Sequence, residues 1–290
     1  MPSRSSRNAR FGGCVIVAIL LLAGVVGLSI GGFSWFADKW RPAATPGEQR
    51  CVATAGNNST AISLEQAHYA SIIAGLSVKR ELSPRAASIA LATAYQESGI
   101  RNLDYGDRDS VGLFQQRPSQ GWGTEKQLMD PHYATGEFYD ALVKIRNWQA
   151  RDITEVAQAV QISGHPEAYR DHETDARVLA STLTGQTPAG FTCLDRTGAD
   201  GDAKALASAL TKTFGSQAKA TRKGKVLTIT AESKDDAWAY GSFAVANSAQ
   251  YGTLQVVVGS KQWDTNGTKL PDWVAAEEAV SAKQVRITVR

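Results

Sequence analysis

At 290 residues and 43% apolar composition, the chain is long enough for two domains of about 100–200 residues each and apolar enough to fill their cores, which excludes wholesale disorder. The formal net charge of +3 divides unevenly: six Lys and Arg against two Asp and Glu in residues 1–50, 13 against 17 in 51–197, and 12 against nine in 198–290. No block has the basic excess on which nucleic-acid binding rests, so no nucleic-acid partner is expected.

The chain opens with a basic tail over 1–10, "MPSRSSRNAR", carrying Arg4, Arg7 and Arg10 and no acid. From Phe11 to Ala37 no charged residue appears. A bilayer-spanning helix needs about 20 residues, whereas a cleaved secretory signal has an apolar region of about 7 to 15 and a small-residue cleavage site. Trp35 and Trp40 stand at the exit, where interfacial aromatics sit. A retained transmembrane anchor over 11–37 is therefore favoured over a cleaved signal. The expectation is a single-pass cell-membrane protein with a cytoplasmic N-terminus and the bulk of the chain extracytoplasmic. Residues 38–50, "DKWRPAATPGEQR", read as a Pro-, Gly- and charge-rich linker. Cys14 falls inside the anchor and reads as a small apolar residue. Cys51 and Cys193 fall in the exported part, where thiols are oxidised, and they are predicted to pair across the block they flank.

Residues 51–197 read as mainly helical. Ser63 with Gln66 forms a capping-box pattern ahead of Ala67, Ala70, Ile73, Ala74 and Val78 at helical spacing. Ser83 and Pro84 open a second helix running to about Ser98, where Gly99 closes it. Asp130 and Pro131 open a third, with Ala134, Phe138, Leu142 and Ile145 as its apolar stripe. Further helical stretches cover about 154–161 and 166–183. Between the second and third helices, 100–129 is long and rich in Gly, Asp, Gln and Arg, and a segment of that length is usually functional or disordered. Its Leu103, Val111, Leu113, Phe114 and Trp122 argue for order. His165 and His172, seven apart, share a helical face but have no third ligand, so they read as a solvated pair and no metal site is expected.

"TGADGD", from Thr197, marks a boundary. Beyond it come a helix near 203–214, an alternating strand from Lys225, an apolar helix over about 235–250, a strand from Leu254 and a final strand from Lys283. Residues 198–290 are thus expected to form a small α+β domain of unknown function. It is the natural docking element for a protein partner. Trp238, Trp263 and Trp273 read as packing residues.

The helix before Glu97 is small or apolar at almost every position from Ala86 to Ala94, and a helix apolar all round is buried. Glu97 therefore leaves the core at a helix C-terminus. Apolar surroundings and the negative end of the helix dipole both disfavour its charged form, as a general acid working near neutral pH requires. From the helix alone, a solvated last-turn glutamate is the competing reading.

The stretch "ESGIRNLDYGDRDSVGLFQQ" resembles the lysozyme-like soluble lytic transglycosylases, which carry a catalytic "ES" at a helix end followed by a "GLMQ" motif. The matching residues are Glu97 and Ser98, then Gly112, Leu113, Phe114 and Gln115. "QRPSQGWGT" also looks like exported actinobacterial proteins with a lysozyme-like domain. The resemblance implies a mainly α lysozyme-like domain over 51–197, with Glu97 as catalytic acid and base, Ser98 ordering the site, and Gln115 and Gln116 lining the sugar cleft. A third family motif, "AYN", corresponds at best to Ala159, Val160 and Gln161, with Gln as the amide and the aromatic lost. Tyr169 stands where the family has a later cleft tyrosine.

The resemblance also implies a reaction. Glycosidic cleavage needs a proton for the leaving oxygen and stabilisation of an oxocarbenium-like centre. In lytic transglycosylases the substrate's N-acetyl group assists and the muramic acid 6-hydroxyl attacks, leaving a 1,6-anhydro end, so one acid suffices and no cofactor is implied. Asp104, Asp107 and Asp109 lie where goose-type lysozymes, a related family, place acids that activate water. They read either as a second acid or as turn formers pairing with Arg101 and Arg108. The implied function is cleavage of the MurNAc–GlcNAc β-1,4 bond in peptidoglycan glycan strands. Two rivals stay open: a non-catalytic wall-binding or scaffold protein, and a wall-opening component of a secretion or conjugation machine.

Overall fold

A computed structural model describes residues 48–164 and 167–290. The basic tail, the apolar segment 11–37 and nearly all of the linker lie outside the described residues, as do His165 and Pro166. Among the described residues no helix is long and apolar enough to cross a membrane.

The fold begins with a hairpin, β1 (Arg50–Ala55) and β2 (Asn58–Ile62), whose strands are joined by Gly56 and Asn57. Ser63 then caps α1 (Leu64–Lys79) with the reciprocal Gln66 bond of a capping box. The second helix, α2 (Pro84–Ser98), starts with Pro in its first turn and ends on Gly99 in the left-handed region (φ 64°). Every residue of α2 from Ala86 to Ala94 is buried. A long irregular stretch follows, holding an isolated bridge between Val111 and Gln116, a 3-10 turn at Pro118–Gln120 and the single-turn helix α3 (Glu125–Leu128). Next come α4 (Pro131–Leu142), capped by Asp130, and α5 (Ile153–Gln161), capped by Asp152. A 3-10 turn at Ala168–His172 leads into α6 (Glu173–Leu183) and β3 (Phe191–Leu194). In this half α2 is central, packed against α1, α4, α5, α6 and the Ala168–His172 turn.

β3 returns to pair antiparallel with β1, completing a three-stranded sheet of order β2-β1-β3. Cys51 and Cys193 stand opposite each other in that register, fully buried and joined as a disulfide.

The remaining chain forms α7 (Ala203–Phe214), β4 (Thr221–Lys223), β5 (Val226–Thr230), α8 (Lys234–Ala246), the short α9 (Ser248–Tyr251), β6 (Thr253–Val258), β7 (Lys261–Asp264), β8 (Val274–Ala275) and β9 (Gln284–Val289). Its strands make a six-stranded antiparallel sheet of order β4-β5-β9-β6-β7-β8. The last strand therefore sits inside the sheet.

The expected fold class, a mainly α lysozyme-like domain followed by a small α+β domain, is corrected. Two antiparallel sheets, of three and six strands, accompany the helices, and one of them lies in the part read as helical. The described residues form one compact unit with a continuous apolar core. The joint is α8, buried from Ala237 to Ala246 because it lies between the six-stranded sheet on β6 and β9 and the elements α1, α6 and β3. Polar side chains cross the same joint. Asn247 reaches Ser71 Oγ (3.0 Å) and His68 Nδ1 (2.5 Å), Ser242 Oγ donates to the Thr182 carbonyl (3.2 Å), and Trp273 Nε1 donates to the Phe191 carbonyl (2.8 Å). Trp263 is fully buried and Trp238 meets Trp273 edge-on, so these tryptophans pack the core.

Candidate active site

Glu97 occupies the last turn of α2, partly buried. Two side chains from distant parts of the chain converge on it. Tyr169, fully buried in the Ala168–His172 turn, donates its hydroxyl to Glu97 Oε1 at 2.7 Å. Gln161, the final residue of α5, donates Nε2 to the Phe114 carbonyl at 2.7 Å, and its amide pulls the Glu97 carboxyl toward its ionised form. The Phe114 carbonyl thus pegs the amide, and the Gly-Leu-Phe-Gln turn is tied to the acid through it.

Burial pushes the Glu97 carboxyl above its ordinary value of 4.5, against the pull of Tyr169 and Gln161, whose hydrogen bonds favour the ionised form. The C-terminal end of α2 acts in the same direction as burial. Tyr169 is itself pushed up, first by its own burial and then by the neighbouring Glu97 charge, so its hydroxyl stays a donor. The result is a carboxyl group that keeps its proton to a higher pH than a solvated glutamate and whose ionised form has the Tyr169 donor in place. That is the equipment of a group that gives up a proton and later takes one back.

Ser98 is buried beneath the site. Its hydroxyl reaches the Leu113 carbonyl at 2.8 Å, with the Ala94 carbonyl at 3.0 Å, and accepts from the Arg101 N–H at 3.2 Å. It ties the end of α2 to the motif turn. Gln115 has φ 47° and directs Nε2 to the Tyr105 and Gly112 carbonyls (3.2 and 3.3 Å), which pins the loop tip and leaves the Tyr105 side chain 69% exposed. Gln116 is buried, with Nε2 on the Ala134 carbonyl of α4 (3.3 Å), so its contacts are with the scaffold.

The three aspartates have different surroundings. Asp109 is clamped by Arg117 Nε (2.8 Å), the Ser119 N–H (2.7 Å) and Ser119 Oγ (3.0 Å), and Arg117 first among these holds its carboxyl well below the usual range. Asp107 is exposed and lies 3.9 Å from Arg108, and Asp104 is exposed. Sequence reasoning paired these acids with Arg101 and Arg108; it missed Arg117 and Ser119, whose signal was an arginine and a serine eight and ten residues beyond Asp109 in the same loop. His172 stacks on Tyr95 (4.7 Å between ring centroids) with Nε2 3.1 Å from Gln96 Oε1, beside the acid on α2. His165 lies outside the described residues. Among the described residues no group of three or more His, Cys, Asp or Glu is placed to hold a metal ion.

No protein-family model matches the chain, and no curated protein matches it. The geometry around Glu97 is therefore the basis for a functional reading, together with the motif resemblance of the segment that builds it.

Proposed function

We propose that this protein cleaves the β-1,4 bond between N-acetylmuramic acid and N-acetylglucosamine in peptidoglycan, as an extracytoplasmic enzyme held at the membrane by its N-terminal apolar segment. Glu97 serves as the one catalytic acid. It protonates the leaving glycosidic oxygen and then, as a carboxylate steadied by Tyr169 and Gln161, accepts the proton of the muramic acid 6-hydroxyl as that oxygen attacks the anomeric carbon. The product carries a 1,6-anhydro end.

The observation that carries this reading is the convergence of Tyr169 and Gln161 on a carboxyl whose burial raises its proton affinity. Both positions correspond to cleft residues of the lytic transglycosylases in the motif resemblance. The clamp on Asp109 favours the single-acid route, because a carboxylate neutralised by Arg117 and two donors from Ser119 is a weak base. The test is digestion of purified peptidoglycan by the full chain beside Glu97→Gln. Soluble fragments from the wild type alone support the reading. Equal binding by both proteins with no fragments from either points to a wall-binding scaffold instead.

A further inference from the structure

The chain leaves the motif turn at Gln161, which donates to the Phe114 carbonyl, and returns at Tyr169, which donates to Glu97. The first residue of that connection is Ile162, with φ 53° and ψ 43°. A β-branched side chain in the left-handed region is a backbone outlier, at a helix-ending position where glycine is the usual occupant. Packing often offsets such strain. Ile100, with φ 55°, is fully buried and its side chain belongs to the core. Ile162 is 83% exposed and has no such compensation.

Nor do the local hydrogen bonds call for isoleucine. The Ile162 N–H donates to the Gln158 carbonyl (2.8 Å), Gln158 Nε2 donates to the Ser163 carbonyl (2.9 Å), and Ser163 Oγ donates to Gln158 Oε1 (3.1 Å). All three would survive a glycine at 162. An exposed, strained apolar residue adjoining a partner of the catalytic acid is explained by neither capping nor core packing, and strain of this kind clusters at ligand-contacting positions.

We propose that Ile162 is a substrate contact of the Glu97 site, its side chain laid against an apolar part of the bound glycan: the C–H face of a sugar ring, or an N-acetyl or lactyl methyl group. The inference rests on the glycan-cleaving reading above. It makes the backbone strain the structural cost of holding a methyl-rich surface at the cleft edge.

The experiment measures initial rates on purified peptidoglycan at increasing load, with thermal melts, for the full chain in detergent and its Ile162→Gly, Ile162→Val and Glu97→Gln variants. Ile162→Gly relieves the backbone and removes little buried surface, so it should melt about 2–4 °C higher. Its half-saturating substrate load should rise about 10-fold while the maximal rate changes less than about twofold, as for loss of an apolar contact made equally in ground and transition states. Ile162→Val keeps a branched apolar surface but removes one methylene, so its half-saturating load should fall between those of wild type and Ile162→Gly. An unchanged half-saturating load in Ile162→Gly, in an enzyme that Glu97→Gln inactivates, overturns the inference and leaves the Glu97 reading standing. A lower melting temperature in step with lost activity makes Ile162 a scaffold residue and also overturns it. A wild type as inactive as Glu97→Gln overturns the glycan-cleaving reading and this inference with it.

Discussion

Replacing Tyr169 by phenylalanine removes one oxygen from a fully buried side chain whose hydroxyl donates to Glu97 Oε1 at 2.7 Å. The ring and its packing remain, so the loss is the hydrogen bond. Such a bond contributes about 1.5–3 kcal/mol when its partner is charged and about 0.5–1.5 kcal/mol when both groups are neutral. The cost of the substitution therefore depends on whether Glu97 is ionised. Burial raises Glu97, so the folded state holds its proton to a higher pH than the unfolded chain. The stability linked to this proton is fully present below the ordinary carboxyl value of 4.5 and is lost as pH rises through the folded value. The Tyr169 hydroxyl limits that loss by favouring the carboxylate. Tyr169→Phe should accordingly cost about 0.5–1.5 kcal/mol at pH 4, where Glu97 is protonated, and about 1.5–3 kcal/mol at a pH high enough to ionise it. Urea unfolding of variant and wild type at both pH values measures this, and the difference between the two proteins cancels the other titrating groups. In peptidoglycan digestion, the variant's rate should fall off at a higher pH than the wild type's, because the acid keeps its proton longer. An equal stability cost at both pH values, or a fall-off moved to lower pH, would refute the reasoning.

Ser98→Ala leaves the Leu113 carbonyl and the Arg101 N–H without the hydroxyl they share, in a buried setting. The expected cost is about 1–3 kcal/mol, read as a lower urea midpoint at unchanged slope; a cost within error of zero would show that the tie between α2 and the motif turn is idle. Reducing the Cys51–Cys193 bridge frees ends that are 142 residues apart, for which the chain-entropy model gives about 5 kcal/mol. Thermal melts with and without a phosphine reductant should differ accordingly, and an unchanged midpoint after verified reduction would contradict that account.

Where local chemistry decides an element, the sequence sufficed. Ser83 and Pro84 mark the start of α2 and Gly99 its end, and the small apolar run between them is buried as its pattern requires. The capping box at Ser63 and the cap at Asp130 likewise start their helices. The three-stranded sheet was harder to see because its strands are short and the hairpin strands mix Ala, Thr and Ser among their residues, which leaves little apolar contrast in the alternation. Its hairpin signal was the Gly56–Asn57 pair, with Gly56 at φ 58°, between two residues that oppose each other in the ladder. The Cys51–Cys193 pairing, read from composition and compartment, brings the two ends of the block together, and in the structure those ends are β1 and β3. The fold class failed on the two sheets, and the joint at α8 stayed hidden because an apolar helix declares that it is buried but not what covers each face. In the site, the raised proton affinity of Glu97 followed from its place at the end of a buried helix, but choosing it over a solvated last-turn glutamate needed the motif resemblance. Tyr169, 72 residues away, and Gln161 were reachable only through the motif resemblance, since no local pattern joins them to Glu97. Ile162 went unnoticed because its peculiarity is a backbone angle, which composition and periodicity do not encode.

The central claim is that Glu97 works alone on a glycosidic bond, and the most direct measurement is the mass of the glycan ends released from purified peptidoglycan by the full chain. A single catalytic acid gives ends lighter by one water, the 1,6-anhydro form, absent when Glu97→Gln replaces the wild type. Reducing ends in their place would contradict that claim by requiring an activated water, and would move attention to Asp104 and Asp107 as partners of Glu97.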